Sequence, residues 1–214
     1  QPAPARLILP VTLTPSLIAI TSDGRVGLVK WEFAGQQPGL LEKFLPGGLE
    51  GEKILTLIRL PNNEKLSLGL LSTDGRFKRL PIEEVMELSG RAATILKLKD
   101  GVTLNTTLIC EPEGEVAIIS SYGRMLRLQV NNESMPLMGK LAQGPLTMRV
   151  FPDENIIRAI STRKDEENDL IIITKNGVMK KINLEKIRKC LKGDFGQILI
   201  DLDNSKKHFD RVVD

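Results

Sequence analysis

Four copies of one pattern recur along the chain, each an apolar strand, a short turn ending in glycine and a basic strand: LIAITSDGRVGLVK (17–30), LGLLSTDGRFKRLP (68–81), VAIISSYGRMLRLQ (116–129) and LIIITKNGVMKKIN (170–183). The turn glycines Gly24, Gly75, Gly123 and Gly177 stand 51, 48 and 54 residues apart. That is the repeat length of a propeller blade and too long for ankyrin or leucine-rich units. Repetition of this kind decides the architecture before composition does, because each unit buries its apolar faces against its neighbours.

Leu17 to Ile20 are consecutive apolar residues, as are Ile171 to Ile173, so both faces of these strands have to be covered. Asp23-Gly24, Asp74-Gly75 and Asn176-Gly177 predict two-residue type I′ hairpin turns, and Tyr122-Gly123 is a weaker version of the same signal. The spacers PIEEVMELSGR (81–91), NESMPLMGKLAQG (132–144) and NLEKIRKCLKGDFGQ (183–197) are too short for more than a helical turn or a loop. Each leads into a further strand, ILKLKDGVTL (95–104), LTMRVFPDENII (146–157) and ILIDLDNSKKHFDRVV (198–213). The opening RLILPVTLTPS reads as the tail of such a unit, so a strand from one end is expected to complete a blade begun at the other. The expected fold is all-β, a propeller-like arrangement of about four to five four-stranded blades forming a single repeat domain over residues 1–214.

With 214 residues, 41% of them hydrophobic and 27% charged, the chain can bury a sizeable core. No apolar run is long enough to span a membrane as a helix. The first residues lack the charged start and apolar stretch of a signal peptide, and without an initiator Met the chain is expected to be a piece of a longer protein. Cys110 and Cys190 have no metal-ligand spacing and are expected to be reduced structural thiols in a cytoplasmic setting. The mixed-sign run TRKDEENDL (162–170) is expected to be a solvated loop.

Catalytic readings find little support. His208, the single histidine, lies in a polar tail without a nucleophile in a recognisable setting. Tyr122, the single tyrosine, occupies a hairpin turn, and neither cysteine has a base beside it in sequence. Gly47, Gly48 and Gly51 follow a proline and lack the Lys-Ser or Lys-Thr of a phosphate-binding loop. Trp31 is expected to pack under a blade. No catalytic residue, cofactor or metal is expected.

Basic residues recur beside each turn: Arg25 and Lys30; Arg76, Lys78 and Arg79; Arg124 and Arg127; Lys175, Lys180 and Lys181. In equivalent blades they would line a curved basic band suited to the phosphates of a bent polyanion. The alternative is that they protect sheet edges and keep the chain soluble, which a net charge of only +3 allows.

The blocks ITSDGRVGLVK, LSTDGRFKRL and IITKNGVMKKINLEKI, with the linking stretches GRAATILKLKDGVTL and KGDFGQILIDLD, resemble the repeats of the C-terminal domain of the A subunit of bacterial type IIA topoisomerases, DNA gyrase and topoisomerase IV. The resemblance implies a β-pinwheel of four-stranded blades that binds and bends double-stranded DNA along a basic rim. It implies a non-catalytic module of an ATP-dependent enzyme, working in the cytoplasm at the nucleoid beside the rest of the A subunit together with the B subunit. The DNA-contacting positions it implies are Arg25, Arg76, Lys78, Arg79, Arg124, Arg127, Lys180 and Lys181, to which the recurrence of basic residues adds Lys30.

Two departures stand out. The Gln-Arg-Arg-Gly-Gly-x-Gly box of the gyrase subfamily is missing, its nearest counterparts being GQQPG (35–39) and FLPGGLEG (44–51), which weighs against gyrase-type chiral wrapping. Family rings have five or six blades, where this chain has four hairpins. A different class of function, a protein-interaction scaffold using the loop surface around LLEKFLPGGLEG (40–51), remains open on sequence.

Overall fold

The computed structural model of the chain describes residue 10 and residues 16–88, 90–202 and 210–213. The strands, in chain order, are β1 (Leu17–Thr21), β2 (Arg25–Leu28), β3 (Ile54–Arg59), β4 (Ser67–Ser72) and β5 (Phe77–Pro81). After the one-turn helix α1 (Glu83–Met86) come β6 (Ala93–Thr94), β7 (Leu104–Cys110), β8 (Glu115–Ser120), β9 (Arg124–Gln129), β10 (Ile156–Thr162), β11 (Asp169–Ile173), β12 (Met179–Asn183) and β13 (Gln197–Ile198).

Each repeat forms the expected antiparallel hairpin, β1–β2, β4–β5, β8–β9 and β11–β12. Its turn is not type I′, which needs positive φ at both central residues. Among the described residues, positive φ outside glycine occurs only at Glu113 and Asp165, whereas the turn glycines stand at +77°, +83°, +75° and +81°. Each glycine amide donates to the carbonyl three residues back, on Thr21, Ser72, Ser120 or Thr174. The result is a three-residue loop with only its last residue left-handed, so Tyr122 fits where Asp or Asn sits elsewhere. The hydroxyls of Thr21, Ser120 and Thr174 accept from the amides of Arg25, Arg124 and Val178 at 3.2, 3.3 and 3.1 Å. That bond accounts for the hydroxyl residue three positions before each of these glycines.

Alternation along the hairpins builds the core, since successive side chains point to opposite faces. Ile18, Ile20 and Val26 of the first hairpin pack against Leu68, Leu70 and Leu80 of the second. The other face of the second, Leu71 and Phe77, packs against Val116, Ile118 and Leu128 of the third. Ala117, Ile119 and Met125 then meet Ile172 and Ile182 of the fourth. Each Val, Leu, Ile, Phe or Met side chain so buried contributes roughly 1.5–3 kcal/mol. Leu17, Ala19 and Val29 on the outer face of the first hairpin are covered by Trp31, Leu41, Phe44 and Leu45, so Trp31 packs as expected. The corresponding face of the fourth hairpin is open, with Ile171, Ile173 and Met179 exposed at 60%, 41% and 67%.

The remaining strands are exchanged between repeats. The strand leading into each following hairpin pairs with the first strand of the hairpin before it: β3 with β1, β7 with β4, β10 with β8. The segment after each following hairpin then returns to the outer edge of the preceding blade. β6 pairs with β2, Leu146 bridges to Arg76, and β13 pairs with β9. Among the described residues two sheets have four strands, the second blade has three plus the Leu146 bridge, and the fourth has two with a bridge from Thr174 to Val212. Four-stranded blades throughout, the sequence expectation, are thus seen in the first and third. The RLILPVTLTPS tail up to Pro15 apart from Pro10, and His208, lie outside the described residues.

The spacers are loops and single helical turns, and residues 163–167 of the mixed-charge run are exposed. Cys110 and Cys190 are buried free thiols in the core between the second and third blades, where burial pushes the Cys110 thiol up to about 12.

Candidate nucleic-acid interface

Apart from Lys30, six residues after Gly24, and Lys175, two before Gly177, the recurring basic residues occupy three positions relative to the turn glycine, and each position has its own environment. Directly after the glycine, Arg25 donates to the Gly48 carbonyl and pairs with Glu52 at 2.6 Å. Arg76 donates to the Gly144 carbonyl at 3.0 Å and faces Asp74 at 3.5 Å. Arg124 grips the Glu154 carboxylate with Nε at 2.9 Å and donates to the carbonyls of Arg149 and Phe195. The fourth repeat has Val178 here, and no such tether.

Three residues after the glycine, Lys78 is fully buried, its Nζ donating to the carbonyls of Gly139 and Lys140 at 2.7 and 2.8 Å. Burial lowers its pKa to about 8. The equivalent Lys180 donates to the Leu199 carbonyl from an exposed strand. Four residues after the glycine, Arg79 donates to the Met135 carbonyl at 2.6 Å and to Asn132 at 2.9 Å, and burial lowers its pKa. Arg127 reaches the Ile187 carbonyl at 2.7 Å and forms a two-pronged pair with Glu115 at 2.6 and 2.9 Å. Burial opposes the charge on both partners, yet the hydrogen bonds between them win, raising the Arg127 pKa and, with Lys189, lowering that of Glu115. Lys181 pairs with Asp169 at 2.6 Å on the surface.

The nine candidates therefore separate. Lys78, Arg79, Arg124 and Arg127 are buried beneath the returning segments and hold them in place through backbone carbonyls, so they are not open to a phosphate. This corrects the uniform basic rim. Arg25 and Arg76 are half-buried, and Lys30, Lys180 and Lys181 are exposed.

Further exposed cations lie on the returning segments, where the hairpin pattern gave no reason to look. Arg91, Lys97 and Lys99 serve the first blade, Arg149 the second, and Lys186, Arg188, Lys189 and Lys192 the third; Lys140 is half-exposed. Of the three spacers only 183–197 is net basic, so a signal was present there alone, and it becomes spatial only when the segment is seen on the outer edge of a blade. Some are shared with carboxylates: Lys140 with Glu84 at 3.1 Å, Arg188 with Asp194 at 3.3 Å and Lys189 with Glu115 at 2.9 Å. Tyr122 is half-buried in its turn and stacks on Phe151. Among the described residues no cluster of His, Cys, Asp and Glu is arranged to hold a metal.

A family model for the DNA gyrase C-terminal domain, a beta-propeller, matches residues 70–111 and 168–206. Both stretches start in phase, within or just before the first strand of a hairpin, and run through the segment that follows it. The two matched stretches together cover less than half of the chain.

Among similar proteins, the A subunit of DNA topoisomerase 4 from Synechocystis is 26% identical over 147 residues, covering 64% of this chain and 15% of its own length. The DNA gyrase A subunit of Mycolicibacterium smegmatis is 21% identical over 156 residues, covering 72% of this chain and 18% of its own length. The chain thus spans less than a fifth of the length of these relatives. A solved C-terminal domain of DNA topoisomerase IV superposes with a TM-score of 0.73 over 94% of this chain and 62% of that one, at 17% identity. It shares the β-pinwheel fold.

Proposed function

We propose that this gyrase-type C-terminal domain binds and bends double-stranded DNA through sequence-independent phosphate contacts, as a non-catalytic part of a type IIA topoisomerase A subunit. It works in the cytoplasm at the nucleoid, beside the remainder of that subunit together with the B subunit, and needs no cofactor of its own. The observation that carries the reading is the recurrence of exposed cations on the segments returning to the outer edges of the first three blades. Arg25, Lys30, Arg76, Lys180 and Lys181 are the hairpin residues still accessible to add to that band. Cations spaced along a curved edge neutralise successive phosphates of a bent duplex and release counterions without reading bases. The scaffold alternative has less apolar surface to offer, because Leu41, Phe44 and Leu45 are partly buried against the first hairpin and Leu40 is the exposed apolar residue of residues 40–51.

The test is to ligate nicked circular DNA in the presence of rising amounts of the chain and read the linking-number distribution, with retardation measured before deproteinisation. Salt-sensitive retardation with no linking shift is the expected result, a bend without a handed wrap, as the missing paired-arginine box implies. A dose-dependent shift would reveal a chiral wrap. Absence of retardation at low salt would overturn the DNA reading.

A further inference from the structure

Tyr122, Phe151 and Phe195 form a stacked row that neither the core nor a phosphate-binding rim accounts for. The Tyr122 and Phe151 ring centroids are 6.4 Å apart at an interplanar angle of 27°, and those of Phe151 and Phe195 are 5.0 Å apart at 22°. Phe151 and Phe195 are nevertheless 48% and 37% exposed. The Arg124 guanidinium lies 4.9 Å from one centroid and 5.0 Å from the other. Arg124 is itself held by Glu154, whose carboxylate also accepts from the Phe151 amide at 2.9 Å. The two exposed rings therefore stand on a fixed platform and lose little side-chain freedom on meeting a partner.

Their place in the fold is specific. Phe151 follows the segment that closes the second blade, and Phe195 lies just before β13, which closes the third. The two segments meet where Met148 bridges to Asp194 and the Arg149 amide donates to the Asp194 carbonyl at 3.1 Å. Exposed Arg149, Arg188 and Lys192 lie on these same segments. Of the acidic groups here, Glu154 is held by Arg124 and Asp194 by Arg188, and Asp153 is exposed.

Phosphate contact needs only cations, so a rigid, exposed aromatic pair among them asks for an apolar partner on the same ligand. Resting on the DNA-binding reading, we propose that Phe151 and Phe195 are a wedge that inserts at a base step of the bound duplex from its minor groove and kinks it between the second and third blades. Apolar side chains, phenylalanine and proline among them, unstack a step in this way and bend the helix toward the major groove, and exposed Pro152 stiffens the tip. Flanking cations hold the backbones on either side of the kink.

The test uses the whole 214-residue chain on an end-labelled duplex carrying one TA step, the kind that unstacks most readily. Energy transfer between the ends reports the bend, and 2-aminopurine in place of the step's adenine reports unstacking. On binding, 2-aminopurine is expected to brighten and the ends to approach. The F151A/F195A variant should bind about five- to tenfold more weakly, with a smaller bend, no brightening and an unchanged salt slope, whereas F151L/F195L should keep the bend. Full bending by the alanine variant, or parent binding without brightening, would overturn the wedge and leave DNA binding standing. Failure of the parent to bind would overturn both. The brightening needs no variant, so a folding defect in the alanine pair does not blunt the test.

Discussion

The Leu96 carbonyl lies across Gly24 so closely that a Cβ on Gly24 would stand 2.6 Å from its oxygen, while the Ile95 and Leu96 amides donate to the Gly24 carbonyl at 2.9 and 3.3 Å. The Met148 carbonyl makes the same approach to Gly75 and that of Ile200 to Gly123, while the Met148 and Leu199 amides donate to the carbonyls of these glycines at 3.0 and 2.8 Å. The turn glycine is thus the dock for the returning segment of the next repeat, and its small size joins two repeats as well as turning one hairpin.

Gly24→Ala should therefore cost both the left-handed conformation and the dock. Gly177 has the same kind of φ, +81°, but nothing within 4 Å of a Cβ, so alanine there bears only the conformational part, about 1 kcal/mol. Urea unfolding should place Gly24→Ala at least about 2 kcal/mol below the parent and Gly177→Ala close to half that. Equal losses at both positions would show that the dock contributes nothing.

Arg124 and Glu154 form a buried pair, with 7% and 0% of their side chains exposed. Arg124→Ala strands the carboxylate and should destabilise by about 3–5 kcal/mol, whereas exchanging both partners for apolar residues should recover much of the loss. A double-mutant cycle measured by denaturant midpoints checks this, and additive single losses would count against it.

Lys78 makes stability depend on pH in an identifiable window. Its folded pKa of about 8 lies below the ordinary lysine value of 10.5, so between these pH values the unfolded chain binds more protons than the folded one. Stability relative to Lys78→Met should then rise as pH increases through that window, by a few kcal/mol in all, and level off above it. A neutral amine keeps two N–H groups for the Gly139 and Lys140 carbonyls, so losing the proton does not break the latch. A difference that is flat with pH would show that Lys78 titrates normally.

Replacing Arg149, Lys186 and Lys192 with alanine should weaken DNA binding alike for all sequences and reduce the salt slope by about 0.9 for each phosphate no longer neutralised. Retardation titrations at several salt concentrations provide the measurement. An unchanged slope would remove these residues from the band.

Much of this was legible in the chain. Four in-phase glycines mark the hairpins, and the alternation of Ile18 and Ile20 against Leu17 and Ala19 already divides each strand into two buried faces, because a period of two is a local property. The type of turn was missed because Asp-Gly also suits a loop in which glycine alone is left-handed. The Thr or Ser three positions earlier was visible, but its bond to the next amide was not.

The fate of the basic residues depended on partners far along the chain. Arg127 and Lys181 hold the same place after the glycine, yet Arg127 meets the Ile187 carbonyl under a returning segment while Lys181 stays on an exposed strand. Arg25 pairs in register with Thr94, beyond the whole second hairpin. Strand order across such separations is set by which segments can close a sheet edge and bury its amides and carbonyls together, a condition on the assembled chain that no local pattern encodes. The sequence determined the repeat, the hairpins and their two-faced burial; the tertiary structure alone decided which strand completes each blade, and with it which cations are left facing solvent.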